Sequence, residues 1–502
     1  MRPLIPLSLL VPAATALSLT VNTTIGQVYG MINGSTPGVA QFLGVPFAEP
    51  PLGDLRFAPP QPKAHANRTI DATKISPNCP QYPLTTVTDP SVYTIDSPWL
   101  QPYGPWSEDC LTLNIWAPLH PRTPGPLPVL IWLFGGGFYE GGLLTNGFNP
   151  SPWIQRTQEH IVVAVNYRNN IFGFPNAAGL AATNQNTNQG LLDQRLAVEW
   201  VRDNIGSFGG DRSRMVLWGQ SSGAASVDYF NFAWPADPIV HGLIMHSGSV
   251  FATGASKDVT HSNFTFVAEQ LGCGGGLAAG EELACMRHNV SAEALVAFYE
   301  NYTLGADAPA LKFTTIVDGV TKFGNFTERA LEGNYSGLPA ILGTNANEEA
   351  SLVAWVGPQG PNQTYIHHQT LETDQCPANY YNELRYNTSS LTFRWYNLAH
   401  FPNTSPRPWE KAYHASELPL LFGTYQWYGG APTALQRAVS TRWQDLYLAF
   451  MKDPVHALPS MGWPAYTPDG QAMVFGANGT VSSLMPVSAL AVGCAEFPLP
   501  TQ

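Results

Sequence analysis

Met215-Val216-Leu217-Trp218-Gly219-Gln220-Ser221-Ser222-Gly223-Ala224-Ala225-Ser226-Val227 is the stretch on which the reading of the fold turns. The apolar run at its start reads as a buried strand and the small-residue run at its end as a helix, with Gly-x-Ser-x-Gly between them. In that setting the motif describes a sharp strand-to-helix turn that lifts the serine oxygen above a sheet, its glycines letting neighbouring segments approach closely. Without the flanking elements the same five residues would be an ordinary Ser/Gly turn.

Working outward, Val129-Leu130-Ile131-Trp132-Leu133 and Ile161-Val162-Val163-Ala164-Val165 read as two further buried strands. Leu192, Leu196, Trp200, Val201 and Ile205 then recur at helical spacing before Gly209-Gly210 punctuates the turn into residue 215. A strand, a crossover helix and another strand give an α/β fold. The expected form is a large, mostly parallel central sheet with helices on both faces and sites at the carboxyl ends of its strands. Leu435, Val439, Trp443, Leu446 and Phe450 predict another amphipathic helix, closed by Asp453-Pro454. The 44 prolines and 46 glycines are scattered without period, which predicts long ordered loops and no linker, so residues 17–502 are expected to form one unit.

Composition sets further bounds. A net charge of −12 with 24 Lys+Arg excludes a concentrated basic face, and with it a nucleic-acid partner. Met1-Arg2, the apolar run from Leu4 to Val11 and Ala14-Thr15-Ala16 make a cleavable leader over residues 1–16, too short for a membrane span. Secretion and an extracellular, soluble mature chain follow as expectations. Six cysteines in an exported chain predict three disulfides. Asn-x-Ser/Thr sequons, Asn67, Asn403 and Asn478 among them, predict a glycosylated surface.

The elbow implies further chemistry. Charge that develops on a substrate oxygen needs fixed N–H donors. Phe134-Gly135-Gly136-Gly137-Phe138 follows a strand, so Gly136 and Gly137 can present such donors beside the Ser222 N–H. A phosphate cradle would need a following Gly-Lys-Ser/Thr, which is absent here and after Gly274-Gly275-Gly276. Serine also needs a base, and the base an orienting acid. On this fold they follow in the order Ser, acid, His. Leu338-Pro339-Ala340-Ile341-Leu342-Gly343 runs as a strand into Thr344-Asn345-Ala346-Asn347-Glu348-Glu349, which offers Glu348 or Glu349 as the acid. The histidines that follow are His367, His368, His400, His414 and His456, and spacing does not choose among them. An imidazole base of ordinary acidity predicts activity falling below about pH 6.

Together these motifs resemble the type-B carboxylesterase family, which includes cholinesterase-like enzymes, fungal lipases and liver-type esterases. The resemblance is carried by Phe42-Leu43-Gly44-Val45-Pro46-Phe47-Ala48-Glu49-Pro50-Pro51, by Ser107-Glu108-Asp109-Cys110-Leu111, by the Phe134 to Phe138 loop, by Asn166-Tyr167-Arg168, by the elbow and by His246-Ser247-Gly248-Ser249. It loosens after about residue 250. It implies Glu348 as the acid and His414, in Ala412-Tyr413-His414-Ala415-Ser416-Glu417-Leu418, as the base. The family's disulfides imply Cys79 with Cys110 and Cys273 with Cys285, which leaves Cys376 for Cys494. Arg56 and Glu108 sit where similar proteins carry a buried structural ion pair. Gln220 and Ser222 depart from the Glu and Ala more usual at those places. The Cys79 to Cys110 loop (Tyr82-Pro83, Asp89-Pro90, Pro98-Trp99) lacks the amphipathic spacing of an interfacial lid, which argues for soluble or small esters.

The function implied is hydrolysis of carboxylic esters through an acyl-enzyme, acting on a small-molecule substrate with no metal or other cofactor and in no stated oligomeric form. Two alternatives are an acyltransferase using the same residues and a catalytically silent binding protein on the same fold.

Overall fold

The computed structural model describes residues 16–82, 90–252, 254–302 and 309–497. All of the expected leader except Ala16 lies outside the described residues, as do Pro83 and Asp89 of the Cys79 to Cys110 loop.

Alternation along single strands organises the core. In the strand Leu127–Leu133, residues Val129, Ile131 and Leu133 enter one apolar cluster while Leu130 and Trp132 enter another. The strand Ile161–Val165 divides the same way, Val163 and Val165 to one side and Val162 and Ala164 to the other. Successive side chains leave a strand on opposite faces, so a strand apolar at every position must be covered on both.

Among the described residues eleven strands form the main sheet. In chain order they are β1 (Met31–Ile32), β2 (Val39–Pro46), β3 (Thr112–Pro118), β4 (Leu127–Leu133), β5 (Ile161–Val165), β6 (Gly210–Gln220), β7 (Gly242–His246), β8 (Ala340–Asn345), β9 (Thr392–Asn397), β10 (Gln471–Phe475) and β11 (Ser482–Pro486). Their spatial order is β11-β10-β9-β8-β7-β6-β4-β5-β3-β2-β1. From β10 to β5 every neighbour is parallel, and antiparallel strands close both edges.

Four helices matter for the site: α1 (Gln189–Asn204), α2 (Ser222–Ala233), α3 (Cys376–Asn387) and α4 (Ala434–Lys452). Ala197, Val198 and Val201 of α1, Ala224 and Val227 of α2, and Tyr381 and Leu384 of α3 pack in the first cluster. Val439, Trp443, Leu446 and Phe450 of α4 pack in the second, on the opposite face. Shorter helices, Ser262–Gln270, Ala279–His288 and Ala292–Asn301, form a third cluster that includes Cys273. Among the described residues no helix is long and apolar enough to cross a membrane.

Three disulfides join Cys79 to Cys110, Cys273 to Cys285 and Cys376 to Cys494. Arg56 and Glu108 form a buried two-pronged ion pair, both contacts at 2.6 Å, and the Arg56 guanidinium also donates to the Met286 carbonyl at 3.0 Å. It ties the base of the Cys79 to Cys110 loop to the third cluster.

Candidate active site

Parallel register brings four strand ends to one edge. Leu133 pairs with Gly219, Gln220 with His246, and His246 with Gly343. The residues just past those ends are therefore neighbours: the 135–137 loop, Ser221, Ser247 and Glu348.

Ser221 has φ 58° and ψ −128°, a backbone state L residues seldom adopt and one that costs about 1–3 kcal/mol. Neighbours hold it there. Its N–H donates to the His246 carbonyl at 2.8 Å, and its carbonyl accepts from Ala225 N–H at 3.0 Å. The two glycines of the motif are required by contact. A Cβ on Gly219 would sit 2.2 Å from the Gly223 carbonyl oxygen, and one on Gly223 would sit 2.2 Å from the Leu133 oxygen.

The loop after β4 has Gly136 at φ 121° and Gly137 at φ 63°, positive values that favour glycine. Among the described residues the N–H groups of Gly136, Gly137 and Ser222 have no acceptor. Both ends of the loop are pinned. Tyr167 stacks on Phe134 at 4.1 Å and its hydroxyl donates to the Phe134 carbonyl at 2.6 Å, while Phe138 N–H donates to Ser222 Oγ at 3.3 Å. The unusual Ser222 thus ties the elbow to this loop.

Glu348 is fully buried. Its Oε1 accepts from Asn345 N–H and from the Ser247 hydroxyl, each at 2.5 Å, and its Oε2 lies 2.7 Å from His414 Nδ1. The neighbouring Glu349 turns away and accepts from the Thr373 hydroxyl at 2.8 Å. The His414 backbone is anchored at both ends, its N–H to the Glu348 carbonyl at 3.2 Å and its carbonyl to the Tyr93 hydroxyl at 2.8 Å. Tyr93 comes from a single helical turn, Val92–Ile95, in the Cys79 to Cys110 loop, followed by a 3₁₀ turn at Pro98–Leu100. Of the other histidines, His367, His368 and His456 are exposed, and His400 bonds the Ser405 carbonyl.

Burial alone would push the His414 imidazole down. The hydrogen bond and charge of Glu348, with the charges of Asp374 and Glu417, outweigh that and raise it to about 9. The charged imidazole is favoured because it has a buried carboxylate behind it. Asn345 Nδ2 donates to Glu417 Oε2 at 2.8 Å, and His246 bridges Glu417 and the Tyr447 hydroxyl at 2.9 and 2.6 Å. Glu348, Asp374 and His414 offer ligand atoms within 4.8 Å of one another, but the hydrogen bond between Glu348 and His414 already occupies two of them.

Ser221, His414 and the Gly135, Gly136 and Gly137 loop line one cavity of about 540 Å³, with Tyr93, Leu100, Tyr139, Phe148 and Leu352 among its apolar walls. No direct hydrogen bond joins the Ser221 hydroxyl to the imidazole, a contact that in such pairs often tightens only around substrate. Sequence reasoning missed Tyr93, Asn345, Asp374 and Glu417 as parts of this site. They are ordinary residue types in unremarkable local patterns, and only long-range folding gathers them.

Residues 17–398 match the model of the carboxylesterase family. The chain is 43% identical to a chlorogenic acid esterase of Aspergillus niger, over 93% of this chain and 92% of that protein. It is 40% identical to secreted lipase 5 of Gibberella zeae, over 89% and 88%. With an acetylcholinesterase of Electrophorus electricus it shares 34% identity, over 69% of this chain and 54% of that enzyme. The chain belongs to the carboxylesterase family, enzymes that act on carboxylic ester bonds.

Proposed function

We propose that this protein is a secreted serine esterase that hydrolyses carboxylic esters through an acyl-enzyme. The observation that carries the reading is the shared cavity of Ser221 and His414 with the buried Glu348 carboxylate 2.7 Å behind the imidazole. Ser221 attacks the ester carbonyl while His414 takes its proton, and the imidazolium is held by Glu348. The tetrahedral oxyanion is received by the Gly136, Gly137 and Ser222 N–H groups, each worth about 3 kcal/mol in such a site. His414 then delivers the proton to the departing alcohol, and water repeats the sequence on the acyl-enzyme. The 540 Å³ cavity suits a small ester, and the name of the Aspergillus relative points to chlorogenic-acid-type esters as the first to try.

Export is supported by the basic, apolar and small-residue pattern of residues 1–16, by three disulfides, and by the name of the Gibberella relative. Strands from near both ends of the chain share one sheet, which supports reading residues 17–502 as one α/β-hydrolase unit. Steady-state hydrolysis of a soluble chromogenic ester by the parent and by Ser221→Ala tests the mechanism. Turnover is expected to fall about a million-fold, and retention of parental turnover would exclude Ser221 as the nucleophile.

A further inference from the structure

The helix Gln363–Thr370 continues into α3 through one π turn, Leu371–Gln375. A π turn fits an extra residue into a helical wall and re-aims the side chains around it, and such turns frequently mark functional positions. This one carries Asp374, only 7% exposed. A carboxylate oxygen of Asp374, one of Glu348 and a ring nitrogen of His414 lie within 4.8 Å of one another.

The two carboxyls are supported unequally. Glu348 accepts from the Asn345 N–H, the Ser247 hydroxyl and the imidazole, whereas Asp374 accepts from the Thr373 hydroxyl at 2.6 Å. Two buried carboxylates this close do not both ionise cheaply. The charge belongs on the one with more donors, and Asp374 keeps its proton. Burial pushes the Asp374 carboxyl well up, the Glu348 charge adds to that, and His414 opposes it. The other charged groups around this cluster are Glu349, which shares the Thr373 hydroxyl, Glu417 beyond Asn345, and Arg394 of β9.

We propose that Asp374 is a positioning residue of the triad: a second buried carboxyl that backs Glu348 and assumes its charge when Glu348 is neutralised. The inference rests on the triad reading above. Burial is the first cause of the raised Asp374 proton affinity and the Glu348 charge the second, so removing that charge favours loss of the Asp374 proton. Its proton then passes to solvent, and the resulting carboxylate supports the imidazolium from within 4.8 Å.

The test is a double-mutant cycle on the full chain: parent, Asp374→Asn, Glu348→Gln and the double variant, with kcat/KM for a soluble aryl acetate followed from neutral to alkaline pH. Asp374→Asn is expected to cost at least about tenfold more in the Glu348→Gln background than in the parent. An equal factor in both backgrounds overturns the proposal, as does a Glu348→Gln enzyme no more active than Ser221→Ala. Should the double variant fail to fold, the pH profile of Glu348→Gln alone decides. An acid limb still above the ordinary imidazole value of about 6.5 supports Asp374 as the substitute charge, and one at or below that value rejects it. An inactive but folded parent would instead refute the hydrolase reading itself.

Discussion

Gly223→Ala places a methyl group where the elbow meets the loop proposed to hold the oxyanion. The new Cβ would lie 2.2 Å from the Leu133 carbonyl oxygen and 2.5 Å from that of Phe134, where real contacts are essentially never under 3.0 Å. From 3.0 to 2.2 Å, the shortfall is 0.8 Å. Leu133 cannot yield it, because β4 is clamped between β5 and β6 through the pairs Leu133 with Val165 and Leu133 with Gly219. The opening must therefore separate the Gly136 and Gly137 donors from Ser222 by nearly that distance. Displacement on this scale removes most of a hydrogen bond, and one lost oxyanion donor costs about 3 kcal/mol, roughly a hundredfold in kcat. The overpacking should cost a further 1–3 kcal/mol or so of stability and leave the protein folded. Steady-state ester hydrolysis and a melting curve read both quantities, with Gly206→Ala as the control because nothing lies within 4 Å of a Cβ there. A folded Gly223→Ala enzyme within about threefold of the parent would refute the placement of the oxyanion donors.

Activity should climb with pH through the alkaline range as His414, raised to about 9, loses its proton, and titrating kcat/KM locates the limb. The same shift has a stability consequence of definite sign. The imidazolium-Glu348 pair contributes fully below the unfolded imidazole value of about 6.5 and is lost as pH rises through 9, so melting temperature should decline across that window. Ser222→Ala removes the acceptor of the Phe138 N–H, and kcat should fall about fivefold with KM little changed, as expected for loss of one hydrogen bond of about 1 kcal/mol. Asn403 is buried and donates to the Tyr425 carbonyl at 3.0 Å. Peptide mapping of the exported protein should find its sequon unmodified, and a glycan there would contradict its packed position.

The sequence disclosed most where the chemistry is local. The run from Val129 to Leu133 is apolar at every position, which already demands cover on both faces, and Gly-x-Ser-x-Gly between a strand and a small-residue run needs no distant contact to be read as an elbow. The choice between Glu348 and Glu349 was not local. Adjacent residues on a 3₁₀ turn point in different directions, and only the fold shows one meeting His414 and the other Thr373. His414 is reached by family resemblance, since 66 residues separate it from Glu348 and spacing does not choose it over the four other histidines that follow. Asp374 was invisible because a π turn, which no simple periodicity encodes, aims it inward. The imidazole's raised proton affinity is equally out of reach, being a property of buried charges drawn from turns far apart in the sequence.

In the proposed mechanism Ser221 is the activated nucleophile of this cavity. Mass-spectrometric mapping after treatment with a fluorophosphonate tests it most directly. A phosphonyl adduct is expected on Ser221, forming in step with loss of esterase activity and not forming in His414→Ala. An adduct on a different residue, or full inactivation with Ser221 unmodified, would contradict it.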